Sequence, residues 1–207
     1  MKFDSVNSFV EYLQKNAETF SKENSERITK MACAQNPIIT LLTCSDSRVD
    51  MSFFDIDPIN TVFTVRNIWN TIWANEWSVE YWVEHLKTPF LLILWHTNCW
   101  AVKAWLTDYD KCSLSIKKEL DHLKPALKNI DENLDFKTKW LEWVKNNLDL
   151  QLNKAYEKFK SIVEDWKLAI IWAILDLDNS LNEGYGKLHI HKIFSSTKMD
   201  LSKLLKD

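Results

Sequence analysis

Two short segments of this chain concentrate side chains that can bind a metal or hold a proton: Cys44-Ser45-Asp46-Ser47-Arg48 and His96-Thr97-Asn98-Cys99. Two thiolates and one imidazole are a three-ligand set for a catalytic zinc, leaving a fourth position for water or substrate. An isolated His-x-x-Cys says little, and a cysteine in a strand is most often a packing residue. The pair of segments carries the weight. Asp46 and Arg48 stand two residues apart, so an extended turn sets their side chains on one face. A carboxylate beside a guanidinium stays ionised and is held by the planar fork. That suits it to accept a hydrogen bond from a reacting hydroxide; the plainer reading is a local ion pair in a loop.

These segments need elements that bring them together. Ile38 to Thr43 is a short, β-branched run typical of a buried strand, and Cys44 follows it. Thr61 to Val65 and Pro89 to Leu94 are further strand candidates, the latter leading into His96, and Leu168 to Leu175 is a fourth. A helical pattern covers residues 75–86, and a long Lys-, Glu- and Leu-rich helical stretch, broken at Pro125, joins the third strand to the fourth. Residues 5–32 read as a helical arm with Ser5 as N-cap. Residues 187–193 alternate like an exposed edge strand. Apolar strands alternating with helices predict an α/β fold with a mainly parallel central sheet covered on both faces. Ligands of such sheets bind at the carboxyl ends of the strands, which is where both segments fall. The expected organisation is one domain over 1–207, with an N-terminal helical arm (1–34) and a zinc-binding core (35–207).

The bulk numbers limit the partners. With 207 residues, 46% hydrophobic and 27% charged, the chain is an ordinary globular domain with room for a core. A net charge of −3 offers no attraction to nucleic acid or an anionic membrane. Asp4 and Glu11 interrupt what a signal peptide would need as an apolar run, and no stretch is long enough to span a bilayer. Four cysteines do not form a disulfide pattern, so a reducing, cytoplasmic setting is expected. Cys33 and Cys112 read as free thiols, and no histidine outside the second segment is assigned a role.

Cys44-x-Asp46-x-Arg48 followed by His96-x-x-Cys99 resembles the paired signature of the β-class carbonic anhydrases, and the similarity runs from Gln35 to Ile193. Thr61 to Asn67 is similar to that family's second strand and Arg-Asn turn; Ser78-Val79-Glu80-Tyr81 and Val83-Glu84-His85-Leu86 are similar to the helix before its third strand. The resemblance implies a lyase: a zinc ion (Zn2+) held by Cys44, His96 and Cys99, and reversible hydration of carbon dioxide to bicarbonate and a proton. It implies that Asp46 accepts the hydrogen of the attacking hydroxide while Arg48 holds Asp46. Three positions match the plant-type branch: Gln35, Phe63 and Tyr81 would bind substrate, although Phe63 could equally be strand core and Tyr81 a helix-packing residue. The family builds sites at subunit interfaces, which implies a homodimer or homotetramer. Two other readings use the same ligands: a non-catalytic zinc-stabilised oligomer with a blocked pocket, and a hydrolase of carbon disulfide-type substrates.

One departure is systematic. The chain has 2 Gly and 11 Trp, where average usage would give about 7% Gly. Trp69, Trp77, Trp95, Trp100, Trp166 and Trp172 stand where the family has glycine, and Trp73, Trp82 and Trp105 where it has glycine or another small residue. Only Trp140 and Trp143 look native, in an amphipathic helix. A single codon accounts for this pattern, because UGA is read as Trp in some genetic codes and as Gly in others; on that reading the natural chain carries Gly at all nine positions. Indoles at such places are expected to overpack the fold by about 1–3 kcal/mol each. Trp100 is expected to fill the metal's surroundings, and Trp95 to crowd the strand end before His96.

Overall fold

The structure, a computed structural model, describes residues 2–68, 70–100, 102–103, 107, 109–127, 130–131, 133–165 and 167–196. It divides into two units, residues 1–36 and 37–207. The first holds α1 (Val6–Glu23) and α2 (Ser25–Met31), so the expected single helix over 5–32 is broken at Asn24. Ser5 caps α1 as expected. Its hydroxyl accepts from Ser8 N at 3.0 Å, and the Ser8 hydroxyl accepts from Ser5 N at 3.1 Å, a reciprocal pair that satisfies two free N–H groups.

The second unit is built on a five-stranded sheet of order β2-β1-β3-β4-β5. The strands are β1 (Ile39–Cys44), β2 (Val62–Asn67), β3 (Phe90–His96), β4 (Ala169–Asp176) and β5 (Lys187–Phe194). The first four are parallel and β5 is antiparallel to β4, which makes it the edge strand expected from its alternation. The α/β class and the mainly parallel sheet are as the sequence implies. Each central strand begins and ends within two residues of its apolar run. β1 slides one residue towards the C-terminus, so Cys44 is its last residue.

Side chains alternate across each strand and divide the core in two. On one face Leu42, Ile93, Trp95, Ile170 and Trp172 pack against Trp143, Leu148, Leu152 and Phe159 of α5 (Phe136–Glu164). On the other, Leu41, Leu94, Ala173 and Leu175 pack against Val49, Met51 and Phe54, from the segment that follows Cys44. That second layer is a short 3-10 turn, Met51–Phe54, in place of a long helix. Before α5 come α3 (Glu76–Glu80) and, beyond β3, α4 (Leu114–Asp121). The helical pattern over 75–86 resolves into α3 and one wide π turn, Tyr81–His85, which stops at Lys87 in a left-handed conformation (φ 57°). Lys158 of α5 ties α3 down through Glu76 and Glu80, at 2.6 and 2.5 Å.

Six of the nine anomalous tryptophans lie among the described residues; Trp69, Trp105 and Trp166 lie outside them. The six divide evenly. Trp82, Trp95 and Trp172 are buried, whereas Trp73, Trp77 and Trp100 are exposed. The expected overpacking therefore applies to half of them. None of the six has positive φ, so no left-handed backbone calls for glycine there. The buried three are nonetheless poorly accommodated. Trp82 is stacked on Phe63 with ring centroids 3.4 Å apart, closer than the range of about 4.5–7 Å that aromatic pairs prefer. The indole N–H groups of Trp95 and Trp172 are buried with no hydrogen-bond partner. Such an orphaned donor costs about 1–3 kcal/mol.

Candidate metal centre

The parallel register sets β1 beside β3, with Thr43 opposite Leu94, so Cys44 and His96 leave adjoining strands at the same edge of the sheet. Cys99 arrives through a tight turn in which Asn98 adopts a left-handed conformation (φ 55°), a conformation that asparagine tolerates better than most residues. A helix opens directly afterwards at Trp100. The ligand atoms of Cys44, His96 and Cys99 all lie within 4.8 Å of one another, and all three residues are buried. The two segments singled out in the sequence do meet.

The His96 ring is oriented by its own loop: Nδ1 lies 2.9 Å from the Thr97 carbonyl oxygen. Donation there places the hydrogen on Nδ1 and leaves Nε2 as a lone-pair donor facing the cluster. Nε2 is buried and makes no hydrogen bond. Neither Cys44 nor Cys99 is in a disulfide. The Cys44 thiol is pushed down from its ordinary value, chiefly by Cys99 beside it and further by the His96 ring, against the opposing effect of burial. Two soft sulfur donors and one imidazole nitrogen, the orphaned and buried His96 Nε2, fit a zinc ion with three protein ligands.

Asp46 borders the cluster, with Oδ2 at 3.7 Å from His96 Nε2. Arg48 grips it in a fork: Nε donates to Oδ1 at 2.9 Å, Nη2 to Oδ2 at 2.7 Å, and the Arg48 backbone N–H adds a third bond at 3.0 Å. The Arg48 guanidinium is the main reason why the Asp46 carboxyl is held well below the usual carboxylate range. Arg48 Nη2 also donates to the Asn98 carbonyl at 3.0 Å, so one guanidinium links the loop after β1 to the loop after β3. Arg66 supports the first loop from β2 by donating to the Val49 carbonyl.

The remaining sequence-predicted residues are less concentrated. Phe63 is half-buried under Trp82, and Tyr81 is exposed beside Trp82 and His85. Gln35 belongs to the N-terminal unit. A cavity of about 250 Å³ touches the cluster at Cys99 and is lined by Asn98, Lys103, Lys137, Trp140, Asp178 and Ser180; its lining includes neither Phe63 nor Tyr81. Trp100 does not fill the metal's surroundings as expected, while Trp95 packs in the same core cluster as Cys44 and Cys99. Strand alternation turns Trp95 to the face opposite His96. Trp100 points out to solvent, with Lys103 Nζ 5.2 Å from its ring centre. Two residues next to the ligands that sequence reasoning passed over are Thr97 and Asp176, both buried and bonded to each other at 3.0 Å. The Thr inside the His-Thr-Asn-Cys segment was the available signal.

Comparison with known proteins agrees with this geometry. The family model for carbonic anhydrase matches residues 39–182. A carbonic anhydrase of Emericella nidulans is 30% identical over 168 residues, covering 79% of this chain and 68% of that one. A carbonic anhydrase of Mycolicibacterium smegmatis is 36% identical over 87 residues, 42% of each chain, so this match spans less than half of that relative. Among solved structures, the Coccomyxa β-carbonic anhydrase, described in complex with acetazolamide, superposes with a TM-score of 0.76 at 21% identity, covering 95% of this chain and 90% of that one. One of two tetrameric β-carbonic anhydrases from Sordaria macrospora gives a TM-score of 0.70 at 22% identity, covering 89% and 97%. The chain belongs to the carbonic anhydrase family. Its fold is that of the β class.

Proposed function

We propose that the protein is a zinc-dependent carbonate dehydratase that hydrates carbon dioxide to bicarbonate and a proton. The observation that carries this reading is the meeting of Cys44, His96 and Cys99 within 4.8 Å, bordered by the Asp46–Arg48 pair. Cys44, His96 and Cys99 would hold the ion. Zinc, when bound, supplies a Lewis acid that lowers the pKa of water from about 15.7 towards 7. The two thiolates would offset its charge, making the centre a weaker acidifier than one built from three neutral imidazoles.

The chain's own residues do the orienting. Asp46, ionised through Arg48, can act only as an acceptor at neutral pH. It therefore would accept a hydrogen bond from the attacking water or hydroxide, leaving an oxygen lone pair directed at carbon dioxide. Arg48 keeps the carboxylate in that orientation through two fork bonds, so little reorganisation is needed when substrate arrives. Gln35, Phe63 and Tyr81 are assigned to the substrate side on the family resemblance. Assembly into a dimer or tetramer belongs to the same reading. It is supported by the exposed apolar residues Phe9, Val10, Leu13 and Phe20 of α1 and by the tetrameric description of the Sordaria enzymes.

Zinc content and carbon dioxide hydration, measured on the same preparation, test the proposal. About one zinc per chain with turnover above the uncatalysed rate is expected. Asp46→Asn should keep the zinc and lose most of the turnover, because the amide nitrogen cannot accept. Zinc binding without hydration in the unaltered chain would favour a zinc-stabilised oligomer. Release of hydrogen sulfide from carbon disulfide, with no hydration, would point to the hydrolase.

A further inference from the structure

Thr97 lies between two of the ligand residues and is itself buried. Its hydroxyl uses its full hydrogen-bonding capacity. It donates to Asp176 Oδ1 at 3.0 Å and accepts from the backbone N–H groups of Leu177 and Asp178, at 2.8 and 3.4 Å. The Thr97 backbone N–H donates to the Leu175 carbonyl at 3.0 Å. Asp176, the last residue of β4 and fully buried, also accepts from Ser180 N at 2.9 Å and Leu181 N at 2.8 Å. The loop carrying His96 and Cys99 is thus fastened to the end of the neighbouring strand. The same Thr97 presents the carbonyl that fixes the His96 ring.

We infer that Thr97 and Asp176 are positioning residues that hold His96 Nε2 and Cys99 Sγ at the spacing a metal ion requires. The inference rests on the metal centre of the proposed function. Asp176 touches no ligand atom and acts through Thr97. Without the hydroxyl, two backbone N–H groups lose their partner, and Asp176 Oδ1 is left with the Ser180 N–H alone. The loop then keeps only the Thr97 N–H bond to Leu175 as its reference on β4, and the Thr97 carbonyl that orients His96 is held less firmly. Partners of this kind behind metal ligands typically carry about 10–100-fold in metal affinity.

The test follows metal release, so it does not depend on turnover. Zinc-loaded wild type, Thr97→Val, Thr97→Ser and Asp176→Asn are mixed with excess chromogenic chelator, and the same proteins loaded with Co2+ are compared by their visible absorption. Thr97→Val keeps the shape and removes the hydroxyl; Thr97→Ser keeps the hydroxyl; Asp176→Asn replaces one acceptor oxygen by a donor. Release about 10–100-fold faster is expected for Thr97→Val and Asp176→Asn, with altered Co2+ bands, and release within about threefold of wild type for Thr97→Ser. Wild-type release from Thr97→Val and Asp176→Asn, both folded by circular dichroism, would overturn the inference. So would a Thr97→Ser protein as fast as Thr97→Val. Should Thr97→Val not fold, the comparison of Asp176→Asn with Thr97→Ser decides. A wild type that binds neither zinc nor Co2+ would instead overturn the metal centre itself, and the positioning role with it.

Discussion

Replacing Arg48 by alanine separates the orientation of Asp46 from the binding of metal. The substitution removes the two fork bonds to Asp46, at 2.9 and 2.7 Å, and the bond to the Asn98 carbonyl at 3.0 Å; the backbone bond to Asp46 remains. Hydrogen bonds to charged groups contribute about 1.5–3 kcal/mol each when shielded. The Arg48 side chain is 39% exposed, so solvent competes for both fork bonds and a net value of about 1–2 kcal/mol for holding Asp46 is reasonable. At about 1.4 kcal/mol per tenfold, that predicts a 5- to 30-fold fall in hydration rate. Zinc should stay at about one per chain, because Arg48 donates no ligand atom. Stopped-flow hydration with a pH indicator, alongside metal analysis, reads both quantities. The Asp46 carboxyl is depressed in the folded state, so the pair's contribution to stability is complete above the ordinary carboxylate range and is lost as pH falls through the depressed value. The acid-side loss of thermal stability should therefore be smaller in Arg48→Ala than in wild type. Turnover within about twofold of wild type, with zinc retained, would refute the role given to the fork.

The remaining predictions concern the ligands and the tryptophans. Cys44→Ser and Cys99→Ser should each lose zinc, since a hydroxyl is a poor substitute for a thiolate, and full occupancy in both would remove them from the ligand set. Protein from the native source should be lighter than the printed sequence by nine Trp-to-Gly exchanges, and a chain made with Gly at those positions should be the more soluble and more active form. A native mass equal to that of the printed sequence would end the codon explanation.

Much of the framework was legible because local signals and tertiary need agree. The apolar runs became β1 and β3, and their carboxyl ends, where the chemistry was expected, do converge. The alternation over 187–193 became the edge strand, and Ser5 caps its helix. What was not legible depends on partners distant in sequence. Thr97 and Asp176 are 79 residues apart, and neither type of residue announces a bond to the other. The orientation of Trp100 follows from where a helix starts relative to the metal loop, and the stack of Trp82 on Phe63 from how β2 and the π turn come together. The break at Asn24 interrupts a pattern whose spacing alone reads as continuous.

The placement of β4 has a consequence for the order in which the molecule comes together. Its two neighbours reach it by very different routes. β5 returns through a connection of about ten residues, whereas β3 is separated from β4 by a crossover of about seventy that includes all of α5. A hairpin closed by a short loop forms early and locally, while parallel pairing across a long crossover waits for distant segments to find each other. The C-terminal hairpin is thus poised to form as an independent nucleus, and the docking of β3 onto it becomes the slow event. Cys44 meets His96 and Cys99 only when β1 pairs with β3, across a further connection of about 45 residues, so a chain stalled before that pairing would hold its cysteines apart.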